Sequence, residues 1–110
     1  MSSADRRQSP RVPVSIWVEE YKGEDLYLQQ AGNLSVGGVF FERTIPHPIG
    51  TRVRLRFQLP GRPAPIEASG EVVSTRLESG VGAGIRFVDL PPEIEQAIQA
   101  YVSQQIGDQA

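Results

Sequence analysis

The sequence predicts one mainly β domain, six short antiparallel strands in a small barrel or sandwich followed by a single helix. Three observations carry this. Apolar residues alternate with polar ones at a period of two in several separate stretches. Eleven Gly and nine Pro in 110 residues divide the chain into short elements with many turns. After Leu90 the apolar period changes to that of a helix. A chain of this length buries roughly two thirds of its unfolded surface, enough for one modest core.

Residues 1–10 are polar and charged, end in Pro and offer nothing to bury, which predicts a flexible basic N-terminal arm. The domain proper is expected over residues 11–106. Val12, Val14, Ile16 and Val18 alternate with Pro13, Ser15, Trp17 and Glu19, a half-buried strand with Trp17 on its outer face. Pro13 has no N–H for a ladder, so this strand should start at an edge or a bulge. Tyr21 to Asp25 is a predicted turn and Leu26-Tyr27-Leu28 starts the second strand. Gly32 to Gly38 is rich in residues that tolerate positive φ and predicts a loop. Val39 to Glu42 is the third strand, and Ile45 to Gly50 is irregular. In the fourth, Val53, Leu55, Phe57 and Leu59 face inward while Arg52, Arg54, Arg56 and Gln58 form a solvated face. Ile66 to Leu77 is the fifth strand and Gly84 to Val88 the sixth. Pro91 and Pro92 suit a first helical turn, and Glu93 and Glu95 suit the positive end of its dipole. Ile94, Ala97, Ile98, Tyr101, Val102 and Ile106 then form the apolar stripe of a helix over about 91–106, with a tail at 107–110.

Composition removes most chemistries. With no Cys there are no disulfides, thiolate metal sites or cysteine nucleophiles. The single His, His47, lies between prolines and is read as a loop residue, and no Asp/Glu pair sits in a recognisable acid/base context. No enzyme, metal site or cofactor is expected. A net charge of −2 argues against general affinity for DNA or RNA, but the average conceals clusters. Arg6, Arg7 and Arg11 crowd the start, five Arg and no acid lie between Arg43 and Ile66, and acids gather at Glu19, Glu20, Glu24 and Asp25. That arrangement suits a compact anion better than a long polyanion. Without a long apolar run or a secretory leader, no membrane insertion is expected and a cytoplasmic location is.

Two motifs remain. Arg6-Arg7-Gln8-Ser9-Pro10-Arg11 supplies guanidinium forks that fit phosphate and the guanine edge, or else a solvated tail. Asn33-Leu34-Ser35-Val36-Gly37-Gly38 can present backbone N–H groups to an anion, or else form an ordinary turn. Gly80 to Gly84 leads into a strand-like segment, which makes it turn geometry rather than a phosphate loop.

Taken together, the two motifs resemble the signature of the PilZ domain, a bacterial receptor module for cyclic di-GMP. Arg7 and Arg11 match its R-x-x-x-R element, with Arg6 preceding, and Asn33, Ser35 and Gly38 match its D/N-x-S-x-x-G element. Ile49-Gly50-Thr51, Gly70 to Val73 and Gly82 to Phe87 look like later landmarks, so the resemblance spans about residues 6–105. Ser74 departs from it, standing where many relatives carry an aromatic, which is expected to affect packing rather than ligand binding.

The resemblance implies a six-stranded barrel with a C-terminal helix and a cyclic di-GMP site. Arg7 and Arg11 would grip the dinucleotide, with Arg6 in support; Asn33 would meet a guanine, and Ser35 with the Gly37-Gly38 backbone would contact phosphate or base. It also implies a stand-alone receptor whose arm changes conformation on binding and which signals to a downstream protein partner, as monomer or homodimer, in processes such as motility or exopolysaccharide production. The alternative is a PilZ-fold protein-interaction module with weak or no cyclic di-GMP binding.

Overall fold

The computed structural model describes residues 10–76 and 82–109. Strands β1 (Val12–Lys22), β2 (Asp25–Ser35), β3 (Gly38–Glu42), β4 (Arg52–Phe57), β5 (Ile66–Arg76) and β6 (Gly82–Val88) precede helix α1 (Pro92–Gln109). They close a barrel in the order β1-β2-β3-β6-β5-β4, every neighbouring pair antiparallel. Closure leaves few edges exposed, which is how a small all-β domain avoids edge-to-edge association.

The alternation read in the sequence is the barrel's inside and outside. Val12, Val18, Leu34, Phe41, Val53, Leu55, Phe57, Ile66, Val72 and Ile85 are buried, while Arg52, Arg54 and Arg56 face solvent. Pro13 lies at a register shift between Pro13 and Ile16, the bulge its missing N–H requires. α1 closes one end of the barrel against β1 and β2, burying Ile98 and Val102. It begins where Pro91 offers its carbonyl to the N–H groups of Ile94 and Glu95 at 3.0 and 2.9 Å.

Two expectations are corrected at the two ends of β2. The turn is only Gly23-Glu24, with φ of 61° at Gly23, so both strands continue through the acidic and aromatic residues read as a turn. β2 also runs on through Gly32 and Asn33, because a register shift against β3 between Ala31 and Asn33 absorbs the irregular sequence. Among the described residues the left-handed glycines are Gly23, Gly50 and Gly61. Gly38 instead serves close approach, since a Cβ there would strike the Ile85 carbonyl oxygen.

At the barrel end away from α1, the connection from β3 to β4 crosses the opening. Glu20, 2% exposed, points inside there and accepts a hydrogen bond from Gln29 Nε2 at 2.8 Å. His47 Nε2 lies 3.8 Å from the same carboxylate oxygen, and its ring meets Tyr27 edge-on at 4.9 Å. His47 is therefore a loop residue that caps a buried polar pair.

Candidate functional site

At the α1 end, the outer faces of β2, β3, β6 and β5 enclose a recess of about 320 Å³. Arg11 stands beside it, one residue before β1. Asn33 comes from β2 and pairs in register with Phe40 of β3, which in turn pairs with Gly84 of β6. Arg86 lies opposite Gly38 across the β3–β6 ladder. Inward-facing Val39, Ile85 and Phe87 fix these orientations, because each outward residue alternates with a buried one.

Five residues singled out from the sequence, Arg11, Asn33, Ser35, Gly37 and Gly38, line this one recess. Arg6 and Arg7, and the arm over residues 1–9, lie outside the described residues. Sequence reading missed Arg86, Phe40, Val73, Ser74 and Gly84, which complete the walls. Ser74, where the chain departs from the family pattern, packs its hydroxyl on the open side of Gly84, where a Cβ would collide with it, and it also lines the recess.

The Ser35-to-Gly38 turn is held by its own serine. Ser35, 5% exposed, accepts from the N–H groups of Gly37 at 3.1 Å and Gly38 at 3.2 Å. Those two donors are thereby satisfied within the turn, so of the two alternatives open from the sequence the segment forms the ordinary turn rather than an anion nest. Gly37 in turn offers its carbonyl to Phe87 N at 2.9 Å, tying the turn to β6.

The electrostatics single out this recess. Among the described residues no carboxylate lines it, while Arg11 and Arg86 do. Arg86 is partly neutralised, its Nη2 lying 2.7 Å from Glu71 Oε1. A wider hollow of about 510 Å³ lies over β4 and β5, but Glu67 and Asp89 share its walls. Its Arg56 lies 3.5 Å from both Glu19 and Glu67, and its Arg54 stacks on Tyr21 at 5.2 Å. The Tyr21 hydroxyl donates to Glu19 at 2.9 Å, which holds its pKa above the ordinary tyrosine value. Carboxylates thus share the hollow's walls and pair with its Arg56, and the smaller recess is the better site for an anion.

A positively biased recess with an aromatic wall, an amide and glycine-permitted close packing fits a nucleotide carrying phosphate. The sequence model of the PilZ domain matches residues 5–104. The chain belongs to the PilZ domain family. No curated protein matches it by sequence. Among solved structures, MotI/DgrA of Bacillus subtilis aligns with a TM-score of 0.77 at 21% identity, over 93% of this chain and 52% of that one. The PilZ domain of YcgR from Escherichia coli aligns with a TM-score of 0.71 at 15% identity, over 94% and 93% of the two chains. This PilZ chain spans about half the length of MotI/DgrA, and 47% of YcgR in its longer form. These likenesses establish the fold as PilZ. Among the described residues no group of three or more His, Asp or Glu could hold a metal, and no helix is long and apolar enough to cross a membrane.

Proposed function

We propose that this PilZ chain is a cyclic di-GMP receptor, without catalytic activity, that signals to a partner protein from the cytoplasm. The observation that carries the reading is convergence: Arg11 and the Asn33–Gly38 motif, far apart in sequence, wall one recess together with Arg86 and Phe40, with no carboxylate among its described lining residues. The YcgR PilZ domain of Escherichia coli and MrkH of K. pneumonia were both solved with c-di-GMP, which supports the same ligand class here. MotI is named as an inhibitor of motility and CeSA comes from a cellulose-synthesising bacterium, which makes motility or exopolysaccharide production the process to test first.

In this reading Arg11 grips a phosphate or a guanine edge and Asn33 pairs with a guanine. Ser35 shapes the turn, and Gly37 and Gly38 let the ligand approach the backbone. Arg6 and Arg7 approach from the arm, which orders over the ligand and so changes the surface offered to a partner. Charge-assisted contacts contribute roughly 1.5–3 kcal/mol each, and fixing the arm opposes them by roughly 1–2 kcal/mol per residue. With about five residues ordered, the balance points to a micromolar dissociation constant, near −8 kcal/mol.

The alternative is a PilZ-fold interaction module with weak or no affinity for the dinucleotide. It is favoured by the engagement of Ser35 and Arg86 with their own chain. Calorimetric titration with cyclic di-GMP separates the two, because a receptor gives saturable heat in the micromolar range. No heat at several hundred micromolar ligand favours the module.

A further inference from the structure

The β1–β2 ribbon outruns its neighbours at the barrel end opposite α1. β3 pairs with β2 only from Gln30 to Ser35, whereas β1 continues beside β2 out to the Lys22–Asp25 pair. Residues 25–29 of β2 therefore have a strand on one side only among the described residues. The two-residue turn has Gly23 at φ 61° and Glu24 at negative φ, the II′ geometry that closes a hairpin on a hydrogen-bonded Lys22–Asp25 pair. Alternation along the ladder then turns the main-chain groups of Leu26 and Leu28 away from β1, toward the open side.

Exposed edges are ordinarily guarded by Lys, Pro or a bulge. This one carries Leu26 and Leu28, 52% and 64% exposed, with Trp17, 64% exposed, diagonal to Leu28 on the same outer face. We propose that this edge pairs with the same edge of a second copy, antiparallel about a two-fold axis at Tyr27. The edge is self-complementary in register. The two residues with outward main-chain groups flank Tyr27 symmetrically, so the two-fold sets Leu26 opposite Leu28 of the second copy, and the reverse. Each such pair exchanges two hydrogen bonds, and the four leucine side chains meet on one face.

Charge supports the same occupant. Glu42 is the last β3 residue opposite β2, so Arg43 stands just past the point where the edge opens. An antiparallel copy directs its turn, with Glu24 and Asp25, at that Arg43. All three side chains are exposed, and among the described residues none makes an ion pair. The pairing joins two ribbons into a four-stranded sheet and leaves the recess, at the other end of the barrel, open on both copies. It holds whether or not the recess takes a dinucleotide.

Sedimentation equilibrium of the full chain from about 5 to 500 µM, without ligand, tests the pairing. The expected mass rises from the 12.1 kDa of one chain toward twice that value. Leu28→Lys, a guarding substitution at an exposed site, should weaken association at least about tenfold while the circular dichroism stays unchanged. Arg43→Glu should weaken it too, and Arg43→Glu combined with Glu24→Arg should recover it. In amide exchange, Leu26 and Leu28 should gain protection as concentration rises. A chain that stays monomeric throughout, or a dimer indifferent to Leu28→Lys, overturns the proposal, and with it the choice of a second copy over a foreign strand.

Discussion

Arg11→Ala should weaken cyclic di-GMP binding without weakening the fold. Arg11 is exposed, precedes β1 and makes no ion pair among the described residues, so its loss should change stability by no more than about 0.5 kcal/mol. That corresponds to a Tm shift of about 4 °C at most in a domain of this size. A guanidinium fork on a guanine edge or phosphate is worth about 1–3 kcal/mol. At about 1.4 kcal/mol per factor of ten, affinity should fall roughly 5- to 150-fold. Arg11→Lys keeps the charge but not the planar fork and should recover only part of the loss. Calorimetry at fixed ionic strength reads the affinity, and a thermal melt of the same samples reads the fold. Binding within twofold of wild type refutes the assignment of Arg11. So does a loss that only accompanies a collapse in Tm.

Because Glu71 shares the charge of Arg86 at 2.7 Å, Arg86→Ala should cost less affinity than Arg11→Ala, and Glu71→Gln should raise affinity a few-fold by calorimetry. Gly38→Ala forces a Cβ onto the Ile85 carbonyl oxygen and should destabilise by about 1–3 kcal/mol, lowering Tm by roughly 5–20 °C. An unchanged melt would show that the β3–β6 approach is not tight. Gln29→Leu removes the donor from the buried Glu20 carboxylate and should cost about 1–3 kcal/mol in denaturant unfolding; adding Glu20→Met should return most of it. Ser35→Ala deprives the Gly37 and Gly38 N–H groups of their acceptor, and should lower stability by about 1 kcal/mol and loosen the recess wall.

Strand and helix existence were legible because their periods are local: the Val53–Leu55–Phe57 alternation and the Ile98–Val102 stripe need no knowledge of partners. The Arg11 and Asn33–Gly38 motifs were legible as residue types at a spacing. What escaped was set by register. Phe40, Gly84 and Arg86 enter the recess only because β3 and β6 pair as they do, and nothing local in Gly-Ile-Arg-Phe announces that its arginine faces Gly38. The outward position of Arg86 between buried Ile85 and Phe87 was the one available signal. The bulge between Ala31 and Asn33 likewise hid a strand inside a sequence composed like a loop. Glu20 escaped because the acidic run suggested solvent, whereas the β1 alternation carries that side chain into the barrel.

The recess between β2, β3, β6 and β5 is the proposed seat of the dinucleotide, and amide chemical-shift mapping during titration with cyclic di-GMP reads its location residue by residue. The largest shifts should fall on Arg11, Asn33, Gly37, Gly38, Gly84 and Arg86. Shifts centred instead on Arg54, Arg56 and Ser69 of the β4–β5 hollow, or none at saturating ligand, would contradict it.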